Sequence, residues 1–257
     1  IRNCLVGSEM CIRDRDRTMN YKPFTTLTFD CYGTLIDWES GIWDGFQPLL
    51  AANSGTMTRH QLLEKFAIIE STIQAETPGM IYSDVLTEAH RRFALEEGLK
   101  SNDEMNARFG QFVPYWPAFP DSADALRLLK QHFRLVILSN VNRAGFAASN
   151  ERLGVRFDAI YTAEDVGSYK PDPANFSHML TRLDADHAIP GEAVLHVAQS
   201  LFHDIQPARA AGLPTVWIDR QNLRGGGSWG ATARTGSMPQ ADITFDTMMD
   251  FAKAACA

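Results

Sequence analysis

Residues Thr25 to Phe29 alternate polar and apolar side chains, with β-branched residues enriched, and run into Asp30 and the turn-forming Gly33. That period of two predicts a strand whose C-terminal end presents Asp30. From Trp38 to about Phe112 the period lengthens to a helical one. Leu62, Phe66, Ile69 and Ile73 recur behind the capping-box start Thr58-x-x-Gln61, and Ser101-x-x-Glu104 predicts a second such start. The helical stretch closes at Pro114-Tyr115-Trp116-Pro117-Ala118-Phe119-Pro120, too rich in proline for a helix or a central strand and suited to a hinge.

Beyond the hinge the two periods alternate. Strands are predicted at 134–138, 158–162, 193–198, 215–218 and 242–245. Helical patterns run over 121–130, 144–153 and 173–183, through 207–211, and after the last strand. Strands separated by helices imply a parallel sheet covered on both faces. The chain therefore reads as α/β: a doubly wound parallel-sheet, Rossmann-like core (19–37 and 117–257) with an inserted helical cap domain (38–116). Residues 220–240, with Gly225, Gly226, Gly227 and Gly230, read as a flexible loop, and no strand-GxGxxG-helix context supports a dinucleotide site.

Residues 1–18 are set apart. Cys4-Leu5-Val6-Gly7-Ser8-Glu9-Met10-Cys11-Ile12-Arg13-Asp14 resembles the translation of a sequencing-library adapter, and Met19 follows as a natural start. The competing reading, a short targeting segment, is weakened by Glu9 and Asp14 and by the lack of a sustained apolar run. The expectation is a non-native leader.

Composition then bounds the function. The 257 residues are 45% hydrophobic and 21% charged, an ordinary globular balance. By surface scaling roughly 73% of the unfolded surface is buried on folding, enough for a core without metal or disulfide staples. With 24 Lys+Arg against 31 Asp+Glu, the net charge of −7 carries no basic footprint for nucleic acid. No apolar run approaches a membrane span. Cys4, Cys11, Cys31 and Cys256 lack zinc-ligand spacing and favour a reducing compartment. The expected setting is cytoplasmic, with no nucleic-acid or membrane partner.

Four short sequences fall at predicted strand ends, the rim where such sheets bind ligands: Asp30-Cys31-Tyr32-Gly33-Thr34, Leu138-Ser139-Asn140, Tyr169-Lys170-Pro171-Asp172-Pro173, and Ala198-Gln199-Ser200-Leu201-Phe202-His203-Asp204. Each alone reads as a turn or a helix start. Their order, with a helical insertion between the first and second, resembles the haloacid dehalogenase superfamily of hydrolases over residues 22–250. Tyr32 makes the first motif similar to the L-2-haloacid dehalogenase branch. Superfamily phosphatases carry there a second aspartate that protonates the leaving oxygen and whose backbone helps hold magnesium. A phenol replaces that acid poorly, whereas a halide leaves as a stable anion without it.

The resemblance implies hydrolysis of the carbon–halogen bond of a small 2-haloacid through an aspartyl ester, without a cofactor. Catalytic residues would be Asp30 as nucleophile, Lys170 favouring its charged form, Thr34 donating to it, and Asp204 holding Lys170 and orienting water. Substrate contacts would come from Tyr32, Ser139, Asn140 and Gln199. Two departures stand out. Gln199 occupies the place of the phosphatase pattern's metal-binding acid, a weaker ligand for magnesium than a carboxylate. The early cap helix also lacks the dehalogenases' halide-gripping arginine, with Arg59, Lys65, Arg91 and Arg92 as substitutes. An Mg2+-dependent phosphatase of a small metabolite, using the same core residues, is the alternative, and a non-catalytic binding protein the third. The resemblance also raises a homodimer through the cap.

Cys31 reads as a small buried hydrophobe, His196 as a sheet-packing residue and His203 as a rim residue, since no third metal ligand has suitable spacing. Trp38, Trp43, Tyr115, Trp116 and Phe119 either line a pocket or pack the cap on the core.

Overall fold

The computed structural model describes residues 19–231, 235, 236 and 239–257. The leader 1–18, with Cys4 and Cys11, and part of the glycine-rich segment lie outside the described residues. Six parallel strands form one sheet in the order β3-β2-β1-β4-β5-β6: β1 Thr26–Phe29, β2 Arg134–Ser139, β3 Ala159–Thr162, β4 Val194–Ala198, β5 Thr215–Ile218 and β6 Ile243–Phe245. Each matches a predicted strand to within a residue or two.

The sheet is buried from both sides, and the strand period assigns the sides. In β2, Leu135 and Ile137 join one hydrophobic cluster with Leu27, Phe29 and Phe251, while Val136 and Leu138 join another with Phe176, Met179 and Leu183. Alternate residues of one strand thus feed two separate cores, the arrangement that makes parallel strands near-continuously apolar.

Of the five α-helices between β1 and β2, the first four, α1 Trp38–Ala52, α2 Arg59–Glu76, α3 Tyr82–Glu96 and α4 Asp103–Gly110, pack on one another. Their shared interior is aromatic. Phe46 lies 4.5 Å from both Phe93 and Phe109, centroid to centroid, and stacks on His90, whose Nδ1 meets Asn106 Oδ1 at 2.8 Å. The capping box Thr58–Gln61 opens α2 as predicted. The second expected box does not form. Asn102 caps α4 instead, accepting from Met105 N at 2.8 Å, because its side chain offers the same oxygen one position closer to the helix.

Chain entry to and exit from these helices run side by side. Asp37 N donates to Pro117 O (2.8 Å), Phe119 N donates to Leu35 O (3.0 Å), and Ile36 bridges Ala118. The proline-rich segment is therefore bonded to the outgoing residues 35–37 across the base of the cap.

The remaining helices cover the sheet: α5 Ser122–Leu129, α6 Arg143–Leu153, α7 Ala163–Val166, α8 Pro173–His187, α9 Gln206–Ala210 and α10 Met248–Ala255. Part of the glycine-rich segment is anchored, Ala231 N donating to Glu39 Oε1 at 2.7 Å. Strand order reverses at β1, whose neighbours β2 and β4 lead to opposite edges. The C-terminal ends of these three strands form the crevice where open α/β sheets bind ligands.

Candidate active site

Asp30 follows β1 directly. Its backbone N donates to Val197 O on β4, and the register pairing Phe29 with both Ile137 and Val197 sets it between the ends of β2 and β4. Donors and acceptors from several segments of the chain converge there. Lys170 Nζ lies 3.0 Å from Asp30 Oδ1, 2.6 Å from Asp204 Oδ1 and 2.9 Å from Leu138 O. Thr34 Oγ1 donates to Asp30 Oδ2 at 2.7 Å and itself accepts from Gln199 N at 2.9 Å. Lys170 is only 2% exposed, so its three donors are all committed to protein acceptors.

Burial and pairing work against each other here. Burial pushes the Asp30 carboxyl up, and although Lys170 and Thr34 oppose this, it remains above the usual carboxylate value. Burial also raises Asp204, but Lys170 and then His196 outweigh it and hold Asp204 below its ordinary value. For Lys170 burial favours the neutral amine, which Asp204 and Asp30 more than reverse. One ammonium thus serves two carboxylates, more firmly the deeper one.

A second row of residues fixes this triad. His196, fully buried on β4, bridges Thr28 Oγ1 (2.9 Å) and Asp204 Oδ1 (3.2 Å). It packs in the sheet as expected, and it also orients Asp204. Asp204 reaches inward because a wide helical turn, Leu201–Ile205, opens at Ser200, with Ile205 N bonding Ser200 O five residues back. Asn140 clamps the Lys170 backbone in both directions, Nδ2 to O at 3.2 Å and Oδ1 from N at 2.7 Å.

The cleft above Asp30 is lined on the core side by Asp30, Tyr32, Asn140, Lys170, His203 and Asp204. The Tyr32 ring meets Trp116 edge-on at 5.4 Å, and its hydroxyl pairs with Ser149 Oγ at 2.9 Å. Burial lowers His203 to about 4, so it is neutral near pH 7.

Ser139 and Gln199 lie outside this lining. Ser139 is buried and its Oγ accepts from Val141 N at 3.1 Å. Gln199 faces a neighbouring cavity with Gly33, Trp38 and Arg220, its Nε2 donating to Gln221 Oε1 at 2.6 Å. Of the aromatic set, Trp38 lines the cleft, Trp116 is buried behind Tyr32, and Tyr115 is exposed. Cys31 is fully buried.

The family model for haloacid dehalogenase-like hydrolases matches residues 24–212. The chain belongs to this family. An (S)-2-haloacid dehalogenase of Pseudomonas putida is 27% identical over 205 residues, 78% of this chain and 87% of that protein. The (S)-2-haloacid dehalogenase 1 of Pseudomonas sp. (strain CBS-3) is 30% identical over 210 residues, 78% of this chain and 86% of its own length. Among solved structures, the L-2-haloacid dehalogenase PA0810 is similar with a TM-score of 0.72 at 25% identity, covering 90% of this chain and 97% of the other. The chain is thus a haloacid dehalogenase-like hydrolase, with an α/β core of that type.

None of the four cationic substitutes faces the cleft. Arg59 donates to Ser40 Oγ, Lys65 to Glu97, Arg91 to Glu88, and Arg92 pairs with both Glu88 and Glu76. The cap residues that do face it are Trp38, Glu70, Gln74 and Tyr82. The last three have no counterpart in the motifs. Their only signal in the sequence is the i, i+4 spacing of Glu70 and Gln74 beside the apolar stripe of α2.

Magnesium, which other family members use, fits the donor set poorly. The two cleft aspartates are already bridged by Lys170, Tyr32 and Gln199 stand where acids would be needed, and the Gln199 amide is engaged with Gln221. A hard cation seeking six oxygen ligands would have to displace the ammonium.

Proposed function

We propose that this hydrolase cleaves the carbon–halogen bond of a small 2-haloacid and releases the 2-hydroxy acid and halide. One observation supports the reading most. An ionisable Asp30, held by Lys170 and Thr34 at the floor of a cleft, has a tyrosine two residues on instead of a proton-donating carboxylic acid.

In the first step an Asp30 oxygen attacks the halogen-bearing carbon. The carbon–oxygen bond forms as the carbon–halogen bond breaks, and its electron pair leaves as halide, so no proton is required. In the second step water adds to the carboxyl carbon of Asp30 and the bond between that carbon and the ester oxygen breaks. The hydroxy acid departs, one proton is released, and the regenerated carboxylate keeps one oxygen from water. Both Asp30 oxygens carry a donor, so whichever remains as the carbonyl oxygen has a hydrogen bond ready for the charge it develops. The buried Asp204 Oδ2 has no partner among the described residues and offers an acceptor for the attacking water.

The test is a single turnover in heavy-oxygen water with enzyme in excess, alongside chloride release from 2-chloropropionate and turnover of p-nitrophenyl phosphate, each with and without chelator. Chloride release indifferent to chelator, with an unlabelled first product, is expected. Solvent label in the first hydroxy acid refutes the ester. Chelator-sensitive phosphate release alone would instead establish the phosphatase.

A further inference from the structure

The cap side of the cleft is polar where a site for a plain short-chain haloacid would be apolar. Glu70 and Gln74 stand one turn apart on α2 and Tyr82 opens α3, and all three line the same cleft as Asp30 and Lys170. The Tyr82 hydroxyl donates to Glu70 Oε1 at 2.6 Å and so fixes the carboxyl's direction. Tyr82 is itself wedged between Trp116 and Tyr169, at 6.4 and 6.5 Å. Among the described residues nothing donates to Glu70 Oε2, and the Gln74 side chain makes no hydrogen bond. Both side chains are half-buried and open into the cleft, so a ligand atom can take the place of water at them.

Charge narrows the kind of atom. Around Glu70 stand the Tyr82 hydroxyl of the cap and the hydroxyl of the core residue Tyr169, which donates to Met80 O, with Asp30, Asp204, Lys170 and His203 across the cleft. The one ammonium in this set is divided between two aspartates, so Glu70 has no cation of its own. A second anionic group would be repelled here, and an apolar one would strand the carboxyl. We propose that Glu70, Gln74 and Tyr82 form the specificity subsite for the far end of the substrate, and that this end carries a hydrogen-bond donor, a hydroxyl or an ammonium.

The inference rests on the haloacid reading and narrows it to 2-haloacids with a polar group on the neighbouring carbon. Burial, partly offset by the Tyr82 hydrogen bond, holds the Glu70 carboxyl up at about 7. Near pH 7 it is therefore about half ionised; the ionised form accepts a hydrogen bond from a hydroxyl, and a bound ammonium would favour that form.

Calorimetry on the full chain carrying Asp30→Asn measures binding without turnover. The ligands are 2-chloro-3-hydroxypropionate, 2-chloro-3-aminopropionate and 2-chlorobutyrate, whose ethyl group matches a hydroxymethyl in size but has no donor. At least one donor-bearing ligand is expected to bind tenfold or more tightly than 2-chlorobutyrate, the stronger of the two identifying the group. Adding Glu70→Leu is expected to shrink that preference to threefold or less. If the doubly substituted protein does not fold, Glu70→Gln replaces it, and the expected loss is of the ammonium preference and of its rise between pH 6 and 8. Equal affinities, no binding of any ligand, or a preference that survives substitution overturns the subsite. Chloride release from 2-chloropropionate by the unsubstituted enzyme is scored separately. Its absence would sink the haloacid reading while the binding comparison still decides the subsite.

Discussion

Lys170 Nζ and Asp30 Oδ1 lie 3.0 Å apart although 140 residues separate them in sequence, and the same nitrogen is closer still to Asp204, at 2.6 Å. Removing either end of this arrangement has different consequences. Asp30→Asn removes the proposed nucleophile while retaining its shape, and turnover should be abolished with little change in melting temperature. Lys170→Ala should lower kcat/KM by orders of magnitude and also destabilise the fold, by about 3–5 kcal/mol, because it leaves two buried carboxylates without their cation. Steady-state kinetics and thermal melts of the two variants check both halves. Full activity in Asp30→Asn, without slow reversion to aspartate, would remove Asp30 from the nucleophile's role.

The pH profile follows from the same sharing. In the proposed mechanism Asp30 must be ionised to attack, and burial holds its carboxyl above the ordinary range. Activity should therefore fall as pH drops through that raised value, placing the acid limb of kcat/KM above the position of an ordinary carboxylate. Lys170, held above its usual value by the two aspartates, should not limit the alkaline side below pH 10. An acid limb at or below the ordinary carboxylate value would contradict this account of Asp30.

His196 joins the sheet to the site. His196→Leu would leave the buried Thr28 hydroxyl and Asp204 Oδ1 each short of one hydrogen bond. The cost is about 1–3 kcal/mol per group left unpaired, and each kcal/mol corresponds to roughly 2–4 °C in a chain of this size. A melt should show a loss of several degrees, and a variant as stable as the parent would make His196 a packing residue only.

The sheet and the four strand-end motifs were legible because their signals are local. A period of two assigns Leu135 and Ile137 to one face and Val136 and Leu138 to the other, and the motif order alone brings Asp30, Lys170 and Asp204 to one rim. Side-chain direction was not legible. Gln199 follows β4 like a site residue, but tertiary bonds from Trp217 to its carbonyl and to Gln221 from its amide turn it into the next cavity. Glu70 and Gln74 look like a solvated helix face until α2 is seen to lie over the strand ends. His196 was legible as buried, but its partner Asp204 depends on the wide turn at Ser200, which has no simple periodic signature.

A close approach in the cap gives a steric test. A Cβ at Gly41 would fall 2.0 Å from Trp116 Cδ1, and Trp116 is the buried ring that backs both Tyr32 and Tyr82. Gly41→Ala must push that ring aside, at a cost of about 1–3 kcal/mol for overpacking. A lower melting temperature together with reduced turnover is expected, since the displaced ring carries two cleft residues with it. Unchanged melting would mean that Trp116 moves freely.

Glu70 should leave a signature in stability that is independent of any substrate. Its carboxyl is raised from 4.5 to about 7 in the folded protein. Between those values the folded chain retains a proton that the unfolded chain has lost, so the slope of unfolding free energy with pH is negative there. The stabilisation is complete below the unfolded value and is lost as pH rises through about 7. Glu70→Gln keeps the size and an oxygen acceptor for Tyr82 but cannot ionise. The melting-temperature difference between Glu70→Gln and the parent should therefore be small at pH 4.5 and move in favour of the variant up to about pH 8. Melts of both proteins across that range measure it directly, and a difference independent of pH would mean that the Glu70 carboxyl ionises as an ordinary exposed acid.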